Sequence, residues 1–337
     1  MKLAVLNPGG REPSQGFPEG AGAPDESVHP PLSGHAFAAC TSGSFFRKDQ
    51  EIPPGQKEVL VLVGANLKAC RQALVELRSL GKTIAIAWKD AGPFQIAEEL
   101  AKPARFKLFQ EICQRADGAI ATTPDLVTFF TAAGVRHTEF IPTPWPVEDA
   151  RWDFNVPIEE RRGIFVGTRE FRAPARNHLA ALLALRQLAA SMYETITVIN
   201  TDGGRGRGII ERLGYDEQLL NVVEGRLSYP RYLRLLAKHK LVWQLDAAGG
   251  SGQVAGDALL ALVPCVGGNG TTERLVFPDL CGHGRDSEQL FDLAARLLEH
   301  SHDCEAVMER AVATAREKLS FTAVAQRLET FFRRIAR

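Results

Sequence analysis

Apolar runs of strand length recur along this chain, and each is followed by a Gly, Pro or polar turn and then a segment of helical period. That alternation is the mark of βαβ units, hence of parallel sheets with helices on their faces. Two sets of units are visible. The first has candidate strands at Lys2–Leu6, Val59–Val63, Thr83–Ala87, Gly118–Ala121 and Glu139–Ile141. The second has Gly163–Val166, Thr195–Ile199, Asn221–Val223, Leu241–Leu245 and Pro264–Val266. A length of 337 residues fits two such domains, each large enough to bury its own core.

Local signals set the helices and the boundary. Asn66–Leu80 closes at Gly81 and Pro124–Ala133 at Gly134, as helices ending in a left-handed glycine do. For the latter, Thr123 is the expected N-cap oxygen and Pro124 the first helical residue. Asn177–Ala190 carries Leu179, Leu182, Leu183, Leu185 and Leu188 toward one face, and Phe321–Ile335 is amphipathic through Val324, Leu328, Phe331 and Phe332. Between Gly9 and Gly55 the chain is rich in Gly, Pro and Ser. It is too long for an ordinary connection and too poor in periodicity to assign, which makes it a candidate functional loop. The proline-rich stretch from Pro142 to Pro157 reads as an interdomain linker.

Composition removes whole classes of function. Lys plus Arg and Asp plus Glu both total 40, so no bulk charge favours nucleic acid, and any anion site must be local. No stretch approaches the roughly 18–20 apolar residues of a membrane span. Cys40, Cys70, Cys113, Cys265, Cys281 and Cys304 are scattered without metal-type spacing, so reduced thiols in a cytoplasmic protein are expected. His300-Ser-His-Asp-Cys304 has a metal-like composition but reads as a solvated helix end. No metal site and no bound cofactor are expected.

In open α/β sheets ligands bind beyond the carboxyl ends of strands, so the residues just after strands matter most. After Leu245 comes Asp246-Ala-Ala-Gly-Gly-Ser-Gly-Gln253, either a loop that brings backbone close to phosphate or a plain flexible turn. Asp257 follows on a short helix, and a second glycine-rich turn then delivers Thr271, Thr272 and Glu273. Asp257 could instead merely complement a helix dipole, Arg169 and Arg176 could be surface cations, and Glu273 could be a helix-opening acid. Asp202-Gly-Gly-Arg-Gly-Arg-Gly208 lacks the Gly-Lys-Ser/Thr of a phosphate loop and reads as a mobile basic turn. His35, in the loop-rich stretch after the first strand, is the histidine expected at the active site.

From Gly249 to Glu273 the chain resembles the C-terminal domain of retaining family-four glycosyltransferases of the GT-B architecture. Three further runs are similar to the family: Ala116–Asp125 with Phe140-Ile-Pro-Thr-Pro144, Gly163-Ile-Phe-Val-Gly-Thr-Arg169 with Arg176-Asn-His, and the closing helix after Leu319-Ser-Phe321. The resemblance implies two Rossmann-like parallel-sheet domains facing across a cleft: an acceptor domain over 1–145, a nucleotide-sugar donor domain over 146–318, and a helix at 319–337 returning to the first domain. It implies transfer of a sugar from a nucleoside-diphosphate sugar to an unidentified saccharide, lipid-linked or small-molecule acceptor, with retention. The cleft-forming loops carry no Asp-x-Asp metal cluster and positive side chains can replace a divalent ion, so action without a metal is expected. By position the resemblance makes Asp257 the ribose-binding acid and sets Arg169 and Arg176 on the diphosphate. Gly250, Ser251, Gly252, Gln253, Thr271, Thr272 and Glu273 then surround the donor, and Gly9 and Gly10 approach the diphosphate from the first domain.

The departures are specific. Family members carry two glutamates separated by seven residues, and here Gly249 stands at the first position and the shorter Asp257 at the second. The segment Glu170–Ala175 is inserted before Arg176. These leave two alternatives open: a catalytically inert GT-B-like binding protein and a nucleotide-sugar epimerase of the same architecture.

Overall fold

The computed structural model describes residues 1–89 and 92–336 of the chain. It divides into two compact units, Met1–Arg151 with Arg316–Arg337 and Trp152–Ala315. Both divisions fall a few residues from the expected ones at 145/146 and 318/319.

Unit 1 runs β1 (Ala4–Leu6), β2 (Gln15–Gly16), α1 (Ser33–Ala39), β3 (Ser44–Phe46), β4 (Glu58–Val63), α2 (Leu67–Ser79), β5 (Thr83–Trp88), α3 (Pro93–Leu100), α4 (Pro103–Arg115), β6 (Gly118–Ala121), α5 (Asp125–Ala132) and β7 (Thr138–Phe140). Its seven-stranded sheet has the order β2-β3-β1-β4-β5-β6-β7, parallel except for the short edge strand β2. Alternate residues feed two cores. Ala4, Leu6, Val59, Val61 and Val63 face a layer that includes Leu74, Leu77, Phe109 and Phe130, and Leu3, Val5, Leu60 and Leu62 face Phe37, Phe45 and the chain's last helix. Burial on both faces explains why these strands read as unbroken apolar runs.

Unit 2 runs β8 (Ile164–Val166), α6 (His178–Met192), β9 (Ile196–Asn200), α7 (Gly203–Arg212), β10 (Leu220–Glu224), α8 (Tyr229–Leu236), β11 (Leu241–Gln244), α9 (Gln253–Leu260), β12 (Cys265–Gly267), α10 (Thr271–Val276), α11 (Ser287–Glu299) and most of α12 (Ser301–Lys318). Its sheet, β10-β9-β8-β11-β12, is parallel throughout. Trp243 is fully buried and donates Nε1–H to the Ala181 carbonyl of α6, and Phe165 packs against Tyr232 of α8 and His239 just after it.

The last helix, α13 (Phe321–Ile335), belongs to unit 1. Ser320 caps it by accepting from the Ala323 N–H at 3.2 Å, and Val324, Leu328, Phe331 and Phe332 are buried against the first sheet. At roughly 1.5–3 kcal/mol per large apolar side chain, that seam is a major part of the unit's stability. The return is tied in beforehand, where the Trp145 N–H donates to the Leu319 carbonyl at 2.7 Å.

Four local readings need correction. The stretch from Gly9 to Gly55 is not one loop, since β2, α1 and β3 lie within it. Thr123 does not cap α5, because its buried hydroxyl has no hydrogen-bond partner. Leu179 and Leu183 are exposed on α6, whose buried seam is Ala181, Leu182, Leu185, Leu188 and Ala189. The basic segment after Asp202 is helical, forming α7, and its N-cap Asp202 is held by the Phe171 N–H at 2.7 Å.

Candidate functional site

In unit 2 the chain lays down β8, β9 and β10 on one side and then crosses to place β11 next to β8. Such a reversal opens a crevice at the carboxyl ends of the two central strands. Gly167, Thr168 and Arg169 follow β8, and Leu245 and Asp246 follow β11. Gly167 is required there, because a Cβ would overlap Val254 on α9. Gly267 is required for a similar reason: its φ is +84°, and a Cβ would overlap the Gln244 carbonyl.

The two glycine-rich turns are clamped together. Thr271 N–H donates to the Gly250 carbonyl at 2.9 Å and Thr272 N–H to the Ser251 carbonyl at 3.1 Å, with the Thr272 hydroxyl reaching the same carbonyl at 2.7 Å. The backbone donors of both threonines and the Thr272 hydroxyl therefore hold the loop in place. Gly252, at φ +84°, turns the chain into α9, where the first-turn N–H groups have no helical acceptors.

Two acids are buried behind this loop. Asp257 is 3% exposed, and its Oδ1 accepts from the Tyr229 hydroxyl at 2.6 Å and from Gln253 Nε2 at 2.7 Å. Burial pushes its carboxyl up to about 7, against the hydrogen bonds from Tyr229 and Gln253 and the charge of Arg169. Arg169 itself is exposed, with its guanidinium 5.7 Å from the centre of the Tyr232 ring. Glu273 is 2% exposed and accepts from Gln244 Nε2 at 2.8 Å, and its Oε2 is buried without a partner beside Gly252 and Gly270. Burial pushes it up to about 7 as well, Asp246 adding to the effect and Arg176 opposing it.

The insertion before Arg176 does not carry that residue away. A 3-10 turn at Pro174–Arg176 docks on the β11 loop through the Ala247 N–H and the Ala175 carbonyl at 2.8 Å. Arg176 Nη1 then meets Asp246 Oδ2 at 2.7 Å. The structure thus brings Arg169, Arg176, Gly250, Ser251, Gly252, Gln253, Asp257, Thr271, Thr272 and Glu273 to one edge of the unit 2 sheet. It adds Tyr229, Tyr232, Gln244 and Asp246, which the motifs did not single out. Asp246 had a signal, as a carboxylate directly after a strand. The tyrosines had none, since a pair three apart on a helix reads as core.

The remaining candidates lie in unit 1, where β1 and β4 form the equivalent reversal. Gly9, at φ +73°, presses against Asn66, the N-cap of α2, and the Gly10 N–H closes a turn onto the Asn7 carbonyl at 3.0 Å. Beside them Asn7 Nδ2 donates to Glu12 Oε2 at 2.8 Å, and Lys89 pairs with Glu12 Oε1. Burial would raise the Glu12 carboxyl, yet bonding to Lys89 holds it down at about 2. His35 is buried with its ring stacked between His29 and Phe45, at centroid distances of 3.7 and 3.6 Å, and its Nε2 has no partner. Burial, helped by His29, lowers its pKa to about 3, so at neutral pH it offers a neutral imidazole.

A fold of two parallel-sheet units is shared with solved structures. The chain has the GT-B fold. An α,α-trehalose 6-phosphate synthase from Burkholderia multivorans superposes with a TM-score of 0.66 at 13% identity, over 85% of this chain and 73% of that one. A UDP-forming α,α-trehalose-phosphate synthase from Burkholderia xenovorans gives 0.65 at 15% identity, over 86% and 76%. An E. coli trehalose-6-phosphate protein bound with UDP-2-fluoro glucose gives 0.63 at 13%, over 81% and 72%. No protein-family model and no curated protein matches the chain.

Among the described residues no group of three or more His, Cys, Asp or Glu side chains is placed to hold a metal ion, and no helix is long and apolar enough to cross a membrane.

Proposed function

We propose that this protein is a glycosyltransferase that takes a sugar from a nucleoside-diphosphate sugar bound by unit 2 and passes it to an acceptor held by unit 1. The observation that carries the reading is the edge of the unit 2 sheet, where a clamped glycine loop, a helix start, an exposed arginine and a buried acid meet at the strand reversal. Helix N–H groups and Arg169 suit a diphosphate, and Asp257 suits the hydroxyls of a ribose. Arg176 comes with its own counter-ion, Asp246, so Arg169 supplies most of the uncompensated positive charge. Much of catalysis in such a site is stabilisation of the departing diphosphate by preorganised donors and cations.

Uridine is the favoured base, because the neighbours of like fold are described as UDP-forming or hold a UDP-sugar analogue. The finer points belong to the same proposal: retention at the anomeric carbon, as the family-four resemblance implies, action without a divalent metal, a saccharide acceptor, and a cytoplasmic setting. His35 of unit 1, as a neutral imidazole, would hydrogen-bond an acceptor held by that unit rather than carry charge.

The test is a thermal-shift screen of UDP, GDP, ADP and their sugars, followed by an assay for nucleoside diphosphate released from the responding donor in the presence of EDTA and a panel of saccharides. A ligand specific to the folded state must raise the melting temperature. Acceptor-dependent release in EDTA supports the reading, and no response to any nucleotide would sink it. Binding without release would favour the inert alternative, and conversion of the sugar without an acceptor the epimerase.

A further inference from the structure

One oxygen of the Asp257 carboxylate is spoken for inside unit 2. Tyr229 and Gln253 both donate to Oδ1, at 2.6 and 2.7 Å. A carboxylate has about four lone-pair positions, roughly two on each oxygen, so these donors fill Oδ1. A ribose cis-diol held by both oxygens of the carboxylate needs one position on each. With the residue 3% exposed as well, a diol cannot be received until a resident donor withdraws.

Position and bond strength single out Tyr229. Tyr232 is 5% exposed and locked among Phe165, Tyr229 and Arg169, whereas Tyr229 is half-buried at the first position of α8, its ring 5.9 Å from Trp152. Gln253 also donates to Oδ1, but from a neutral amide on a flexible stem. A hydroxyl bound to an anion is the stronger donor, so the phenol is the larger obstacle.

Resting on the donor-site reading above, we propose that Tyr229 gates nucleoside recognition: its hydroxyl occupies an acceptor position on Asp257 that a ribose hydroxyl must take. Affinity for a nucleotide is then set by competition between phenol and sugar, and the closed form lowers apparent affinity in proportion to its population. The selectivity is chemical. A ligand that offers a vicinal diol can displace the phenol, and one that lacks it gains nothing by doing so.

The experiment compares the full chain with Tyr229→Phe, which keeps the ring and its packing and removes only the hydroxyl. Both are titrated calorimetrically at pH 8 with UDP and with 2′,3′-dideoxyuridine 5′-diphosphate, and melting temperatures confirm that both are folded. The UDP dissociation constant should fall about tenfold in Tyr229→Phe, the scale of one hydrogen bond to a charged group, while the dideoxy analogue binds both proteins equally. Unchanged or weaker UDP binding by Tyr229→Phe would overturn the gate, as would an equal gain for the dideoxy analogue. In those cases the donor site stands. If neither protein binds UDP, the donor-site reading for a uridine nucleotide fails and the gate falls with it.

Discussion

Replacing Glu273 by Gln should remove a loss of stability that the wild-type protein suffers as pH rises. The side chain is 2% exposed, with one oxygen bonded to Gln244 and the other pressed without a partner against Gly252 and Gly270. Burial lifts its pKa from an ordinary 4.5 to about 7. Below pH 4.5 the folded and unfolded chains both hold the proton, and the contribution to stability is at its best. Between 4.5 and 7 only the unfolded chain releases it, so stability falls by about 1.4 kcal/mol per pH unit. Above 7 both forms are ionised and the loss levels off at about 3 kcal/mol. Glutamine keeps the acceptor for Gln244 and does not titrate. Urea unfolding followed by tryptophan fluorescence, run on both proteins from pH 5 to 8, should therefore show the variant gaining about 2–3 kcal/mol on the wild type across that range. A difference that stays flat, or that shrinks as pH rises, would refute the claim that this acid is buried without compensation.

Gly252→Ala should lower the melting temperature by several degrees, about 1–3 kcal/mol, since φ is +84° and a Cβ would overlap Glu273 Oε2 and crowd Thr272. His35→Phe should keep the ring stack on His29 and Phe45 but change the acid limb. The wild-type pKa near 3 means that only the unfolded chain takes up a proton as pH falls from 6.5, so wild-type stability declines there, and urea midpoints at pH 4 and 7 should differ less in the variant. Arg169→Ala should weaken binding of the responding nucleoside diphosphate about 10- to 100-fold, and Arg176→Ala by less, because Arg176 is already neutralised by Asp246. Titration calorimetry of both variants checks the order.

The central strands were legible because each is buried on two faces, so Val59–Val63 or Thr83–Ala87 shows as a solid apolar run. The edge of the first sheet was not. Strands of two or three residues such as Gln15–Gly16 and Ser44–Phe46 are shorter than any periodic pattern, and their buried neighbours Phe17, His35 and Phe37 are dispersed among Gly, Pro and Ser. On α6 the leucines suggested one broad apolar face, yet Leu179 and Leu183 fall on the side away from the core. The glycine loop and Asp257 could be placed from local order alone, since a strand, a turn and a helix start follow one another in the chain. The pairing of Arg176 with Asp246 spans 70 positions in the chain, and the phenol on Asp257 comes from another helix, so neither leaves a local trace. Thr271 and Thr272 were expected at the site from their motif, but that their N–H groups clamp the neighbouring loop depends on two turns meeting in space.

Hydrogen–deuterium exchange of the full chain with and without UDP-glucose tests the donor site most directly, because it reports where a ligand lands without assuming turnover. The account expects slowed exchange in 249–257 and 270–276, with a smaller effect in 167–176, and none of it in Arg169→Ala at the same ligand concentration. Protection confined to other segments, or protection of these that survives the loss of Arg169 undiminished, would contradict it.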